Sequence, residues 1–188
     1  RTPQTVDQIE TLSIEANANT AGTVTTNGVE SLSAQAATGI TITGSADIDF
    51  DAFVNTTKLV SLDASAATGK LTLTGLDASA IVVKAGAKAL TLSMAGLTNA
   101  DQIIGGASAT DAVSALAVTG LTATTGKLNI QDVETVNLAG TGANTIDASL
   151  MTGVTTLAIS GASPGTQTIT NVAASGLSVS AGIATAAF

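Results

Sequence analysis

No cysteine, histidine, tryptophan or tyrosine occurs among the 188 residues. Without cysteine there is no disulfide framework, thiol nucleophile or thiolate metal site. Without histidine the usual general base and the commonest zinc ligand are gone. Ser-His-Asp and Cys-His centres are therefore excluded. Aromatics amount to 2%, all of them Phe, so large rings cannot supply the buried area of a core. Cations are scarce: six Lys and Arg stand against fourteen Asp and Glu, for a net charge of −8. Nucleic acid needs a basic patch to neutralise phosphates and is not an expected partner. No apolar run reaches the length of a transmembrane helix, so no membrane span is expected. The N-terminal RTPQTVDQIE holds no apolar signal region. The chain reads as one domain over residues 1–188, an internal piece of a longer protein.

What is present is small. Apolar residues make up 45%, mostly Ala, Val, Leu and Ile, and Thr, Ser and Gly fill much of the rest. That composition suits many short strands and tight turns. A repeat runs through it. Apolar residues recur at positions 1, 4 and 6 of a unit: Ile9, Leu12, Ile14; Val29, Leu32, Ala34; Leu59, Leu62, Ala64; Ala89, Leu92, Met94. Val113, Leu116, Val118; Val133, Val136, Leu138; Val154, Leu157, Ile159; and Ala174, Leu177, Val179 continue it. Successive starts lie 20, 30, 30, 24, 20, 21 and 20 residues apart. The span between Ala89 and Val133 is read as holding one extra coil. A corner or bulge after position 1 puts all three apolar residues on one side.

Each unit also holds a second strand-like stretch: TGITITG (38–44), TGKLTLTG (68–75), ANTIDAS (143–149) and TQTITN (166–171). Thr and apolar residues alternate there, with the apolar side inward. Twenty residues cannot bury a core alone, but stacked units can pair backbones at about 4.8 Å per coil. The expected fold is all-β, a parallel β-solenoid of about eight irregular coils of 20–30 residues, roughly 40 Å long. A β-sandwich is the alternative, and residues 76–90 leave room for a helical turn or two.

The phrases VESLSA (29–34) and VETVNL (133–138), with the T-x-T-G and N-T-I-D-A-S stretches that follow them, resemble bacterial surface-layer proteins and related repeat-toxin-type adhesins, of the Caulobacter and Campylobacter kind. The resemblance covers most of the chain and is one of repeat style. It implies secretion by a type I system, assembly into a two-dimensional lattice, and calcium dependence. The family's calcium-binding nonapeptide is G-G-x-G-x-D-x-apolar-x. The nearest match is GGASATDAV (105–113), where Ser108 replaces the third Gly and Asp111 comes one position late.

Candidate metal ligands are Asp47, Asp49 and Asp51 in SADIDFDAF (45–53), with Asp111. Alternation in a strand sets the three carboxylates on one face, some 7 Å apart, where they repel unless neutralised. Calcium takes six to eight oxygens and needs neither His nor Cys. Asn55 and backbone carbonyls are candidates to complete the shell. A solvated acidic face that keeps an edge strand from pairing is the plainer reading. Asp63, Asp77, Asp132 and Asp147 are expected in Asx-turns. Glu10, Glu30 and Glu134 recur at one place in the unit and are expected along one edge, in a structural role. Thr23/Thr25, Thr41/Thr43, Thr72/Thr74 and Thr168/Thr170 flank inward residues and offer an outward Thr face of the kind that binds ice. Catalysis is not expected: solenoid polysaccharide lyases use Arg or Lys as proton acceptor and aromatic platforms for sugar. Here the one Arg is residue 1, and no pair of carboxylates stands out as acid and base.

Together these readings describe a structural protein of the bacterial cell surface that assembles with copies of itself, with calcium as structural cofactor and envelope polysaccharide as a further partner. An adhesin-type or ice-binding module is the alternative.

Overall fold

The structure is a computed structural model that describes residues 3–18, 26–77, 80–161, 164–172, 176–181 and 186–187. It is a parallel β-solenoid of about seven turns. One face stacks Thr11–Glu15, Gly39–Thr43, Ser61–Asp63, Val82–Lys84, Gln102–Ile104, Asn129–Gln131 and Met151–Thr152. A second face stacks Thr26–Val29, Asp47–Phe50, Leu71–Leu76, Leu90–Met94, Ala112–Thr119, Thr135–Asp147, Thr156–Ser160 and Ser178–Ala181. A short third sheet, Gln4–Thr5, Leu32–Ser33 and Phe53–Val54, closes the first coils. Towards the other end, the back half of Thr135–Asp147 pairs with Pro164–Thr170, and that strand with Ala186–Ala187. No described helix is long and apolar enough to cross a membrane.

Register shows a steadier repeat than the sequence spacing. On the second face Thr26 pairs with Asp47, Ile48 with Leu71, Leu71 with Leu90, Thr91 with Ala112, Ala112 with Thr135, Thr135 with Thr156 and Thr156 with Ser178. Each turn there takes 19 to 23 residues. The two 30-residue steps come from an alignment that changes face. Leu32 lies on the third sheet, Leu62 on the first face and Leu92 on the second. Each such step is one turn plus one side. On the second face Val113, not Leu116, stands between Leu92 and Val136. The extra coil between Ala89 and Val133 is present, as Ala112–Thr119. Residues 76–90 carry the strand Val82–Lys84, and no α-helix lies among the described residues.

The core consists of aliphatic columns. Ile40, Leu62, Val83, Ile103, Ile130 and Met151 succeed one another on the first face. Phe50, Leu73, Leu92, Val113, Val136 and Leu157 do so on the second. All are buried, and each contributes about 1.5–3 kcal/mol by leaving water. Strand alternation places the Thr of TGITITG and TGKLTLTG outside, as their pattern requires: Ile40, Ile42, Leu71 and Leu73 are buried and Thr41 and Thr74 exposed. A corner does bring the 1-4-6 set together: Val133, Val136 and Leu138 are all fully buried. Corners after the first face are narrow enough for backbones to touch. An added Cβ at Gly86 would lie 2.0 Å from the carbonyl oxygen of Ala67.

Candidate functional site

Strand Asp47–Phe50 lies between Thr26–Val29 and Leu71–Leu76 on the second face. Ile48 and Phe50 turn into the core, so Asp47 and Asp49 turn outward and are half-buried. The two line a cleft of about 140 Å³ with Thr26, Ile48, Lys70 and Thr72. Asp47 accepts the Lys70 backbone N–H at 2.7 Å. Asp51 stands past the strand end, exposed, and does not line the cleft. Asn55 belongs to the third sheet's turn, where φ is +56° and its side chain donates to Ser33 Oγ at 3.2 Å. Of the expected calcium ligands, the fold thus brings together Asp47 and Asp49. Among the described residues no three acidic groups gather closely enough to hold a metal ion. An ion in this cleft would draw its other oxygens from Thr hydroxyls, backbone and water.

Asp111 stands elsewhere, fully buried at the start of Ala112–Thr119. It occupies the column that Ile48, Leu71 and Leu90 fill with aliphatic carbon. One carboxylate oxygen accepts the N–H of Leu90 at 2.8 Å and the other that of Gly106 at 2.8 Å. Its own N–H donates to Glu134 Oε2 at 2.8 Å. The side chain therefore stitches one coil to the next. Asp101 does the same one side earlier, accepting from Ile81 N–H at 3.1 Å and Thr98 N–H at 2.9 Å. Asn144, also buried, accepts from Leu121 N–H at 3.0 Å. Sequence reading missed Asp101 and Asn144. The available signal was a polar residue 20 to 23 positions after a buried apolar one.

The recurring glutamates do not share an edge. Glu10 precedes a first-face strand, Glu30 the third sheet and Glu134 a second-face strand. Glu10 and Glu134 share a role at corners: the Glu10 carbonyl accepts from the N–H groups of Thr38 and Gly39, and that of Glu134 from those of Thr155 and Thr156. Asp63 and Asp147 sit in Asx-turns as expected, bonded to the N–H of Ser65 at 3.0 Å and of Ser149 at 2.9 Å. Ser65, with help from Lys84, holds Asp63 below the usual aspartate range. Ser149, with Asn171 and Lys127, does the same for Asp147. A pKa lowered on folding stabilises the fold above the unfolded value, and the gain is lost as pH falls through the folded one. Acid titration followed by circular dichroism is expected to show stability falling below the ordinary aspartate range. The combined Asp63→Asn, Asp147→Asn variant should show a shallower fall.

The Thr pairs also divide among faces. Thr41/Thr43 lie on the first, Thr72/Thr74 on the second and Thr168/Thr170 in Pro164–Thr170. Thr23 and Thr25 lie outside the described residues. What the second face presents instead is a column of Thr72, Thr91, Ala112, Thr135, Thr156 and Ser178. Beside it run Ser93, Ser114, Asn137, Ala158 and Ser180. The first column continues from Thr72 to Asp49; from Thr72 onward neither column holds a charge.

Among the described residues the first coil is only partly covered. Ile9 is 43% exposed, whereas Ala37 and Leu59, which close the equivalent turns of the next two coils, are fully buried. Val6, Leu12, Ile14 and Val29 are only partly covered. With Leu32 and Phe50 they line an apolar hollow of about 180 Å³. Comparison with family models, with curated proteins and with solved structures gives no match.

Proposed function

We propose that this chain is a structural protein of the bacterial cell surface, secreted and self-assembling into a layer or fibre. The observation that carries this reading is the fold itself, a parallel solenoid of repeated coils, an architecture whose sheets propagate by stacking further chain. Calcium is the proposed structural cofactor, with Asp47 and Asp49 as its ligands and Asp51 and Asp111 outside the cleft. It would offset part of the −8 net charge that sets copies against one another. Envelope polysaccharide is a further proposed partner.

Electron microscopy in millimolar calcium and in chelator tests this. Ordered sheets or fibres are expected with calcium, and dispersed particles in chelator or for Asp47→Asn, Asp49→Asn. Dispersed particles in every condition would remove the assembly reading. Order that ignores calcium would remove the cofactor alone.

A second reading rests on the hydroxyl columns of the second face, which carry no charge from Thr72 onward. An adhesin-type or ice-binding module would use them as a working surface, and its binding would survive in a monomer. Replacing Thr91, Thr135 and Thr156 by Lys would then abolish binding to ice or polysaccharide and leave calcium-dependent order unchanged.

A further inference from the structure

We infer that the uncharged part of the second face is a contact between copies of this chain, two molecules lying face to face with their long axes antiparallel. This rests on the assembly reading and specifies one of its contacts. The surface spans five consecutive strands in the middle of the stack, Leu71–Leu76 to Thr156–Ser160. Each of its outer strands is itself paired to a further one, Asp47–Phe50 and Ser178–Ala181.

Charge selects the occupant. The chain carries a net −8, so copies repel wherever their carboxylates meet. From Thr72 to Ala158 the two outward columns hold only Thr, Ser, Ala and Asn, and copies approach there without that repulsion. The first face offers no such stretch. Asp63 and Lys84 stand on it, beside the longer Gln102, Ile104 and Gln131. Long side chains lose the most rotamer freedom when held, and Ala loses none.

Shape agrees. The columns repeat at about 4.8 Å per coil, and Asn137 reaches along its own column to Ser114 Oγ at 3.5 Å. Rows of short side chains on stacked strands interdigitate with a second set of the same kind, as paired sheets do in steric zippers.

Asp49 sets the orientation, because it extends the first column beyond Thr72. With parallel axes Asp49 of each copy would meet its mate across the contact. With antiparallel axes the two-fold runs along strand Ala112–Thr119. Three coil steps separate Asp49 from Ala112, so the two Asp49 then lie six steps apart, about 29 Å. That is far beyond a Debye length of about 8 Å. Thr91 of one copy lies opposite Thr135 of the other. Five strands of about five residues cover about 400 Å² on each copy, less than the roughly 800 Å² per partner of a stable complex. The contact is therefore weak alone and concentration-dependent, as one of several contacts in a layer should be.

The test mixes Thr91→Lys with Thr135→Glu in sedimentation equilibrium, in chelator so that no calcium contact contributes. The wild type should pass from monomer to dimer as concentration rises. Each variant alone should dimerise at least tenfold more weakly. Their equimolar mixture should regain the wild-type constant, because Lys then faces Glu. If both variants dimerise like wild type, copies meet elsewhere: assembly stands and this contact does not. If both weaken and the mixture does not recover, the antiparallel pairing is wrong and the inference falls with it. A wild type that stays monomeric at every concentration also overturns the inference, and microscopy in calcium then decides separately whether the assembly reading survives. Should either variant lose its β circular dichroism, Ser93→Lys with Asn137→Asp repeats the test on the neighbouring column.

Discussion

Replacing Asp111 by Ala is expected to cost about 3–5 kcal/mol of stability, the range reached when buried donors are left without partners. Two backbone donors are at stake, Leu90 and Gly106, each bonded to one carboxylate oxygen at 2.8 Å. Asp111 is fully buried, so water does not replace the lost acceptor without opening the coil. Asp111→Asn should fall between, because it keeps one acceptor and turns an N–H₂ group toward a donor. Urea denaturation measures the loss. Hydrogen exchange locates it, and the amides of Leu90 and Gly106 should lose protection first. Thr91→Ala, on the outward column of the same face, should change stability by only about 0.5 kcal/mol. A loss as small for Asp111→Ala would mean that the stitch contributes little and that neighbouring carbonyls take over both donors.

Gly86→Ala should be comparably damaging, for a steric reason. The new methyl would meet the carbonyl oxygen of Ala67 at 2.0 Å and that of Ala64 at 2.7 Å. Both obstacles are backbone, so no side chain can swing away. Relief requires two coils to separate, which breaks ladder bonds on both faces. A loss of about 3 kcal/mol or more follows, at or beyond the upper end of ordinary overpacking. Gly120 makes the control. Its φ is +65°, but an added Cβ there meets nothing within 4 Å, so Gly120→Ala should cost only the left-handed backbone penalty of about 1–2 kcal/mol. Equal losses at the two positions would show that conformation, not close approach, selects glycine at residue 86.

The difference between phase and period explains what could be read from the residues. A period near 20 and an apolar inner side are written in every coil, because each coil must bury its own Leu, Ile and Val. Phase is not written. Ile40/Ile42, Leu71/Leu73 and Ile146 occupy three different sheets yet share one local pattern, apolar and Thr in alternation. Nothing within a coil says which side it is on. Only the register between coils does, and that depends on corner lengths summed along the chain. The acidic residues divide in the same way. Asp63 and Asp147 bond within two residues, and their turns were legible. Asp101 and Asp111 bond to donors 20 and 21 residues earlier, so their role becomes visible only once coils are stacked. Asp47 and Asp49 were correctly put on one side of a strand. Asp51 was not, because alternation stops where the strand bends.

The narrow range of steps on the second face, 19 to 23 residues, also fixes how such a molecule can change in size. Removing or duplicating a stretch of about 21 residues returns every later side chain to its former column, so the cross-section is untouched and the length changes by about 4.8 Å. A change of five or ten residues would instead rotate the remaining chain by part of a turn and turn its core to the solvent. Whole coils are thus the natural unit of insertion and loss, and their number sets the distance the protein spans, as the marks on a ruler do.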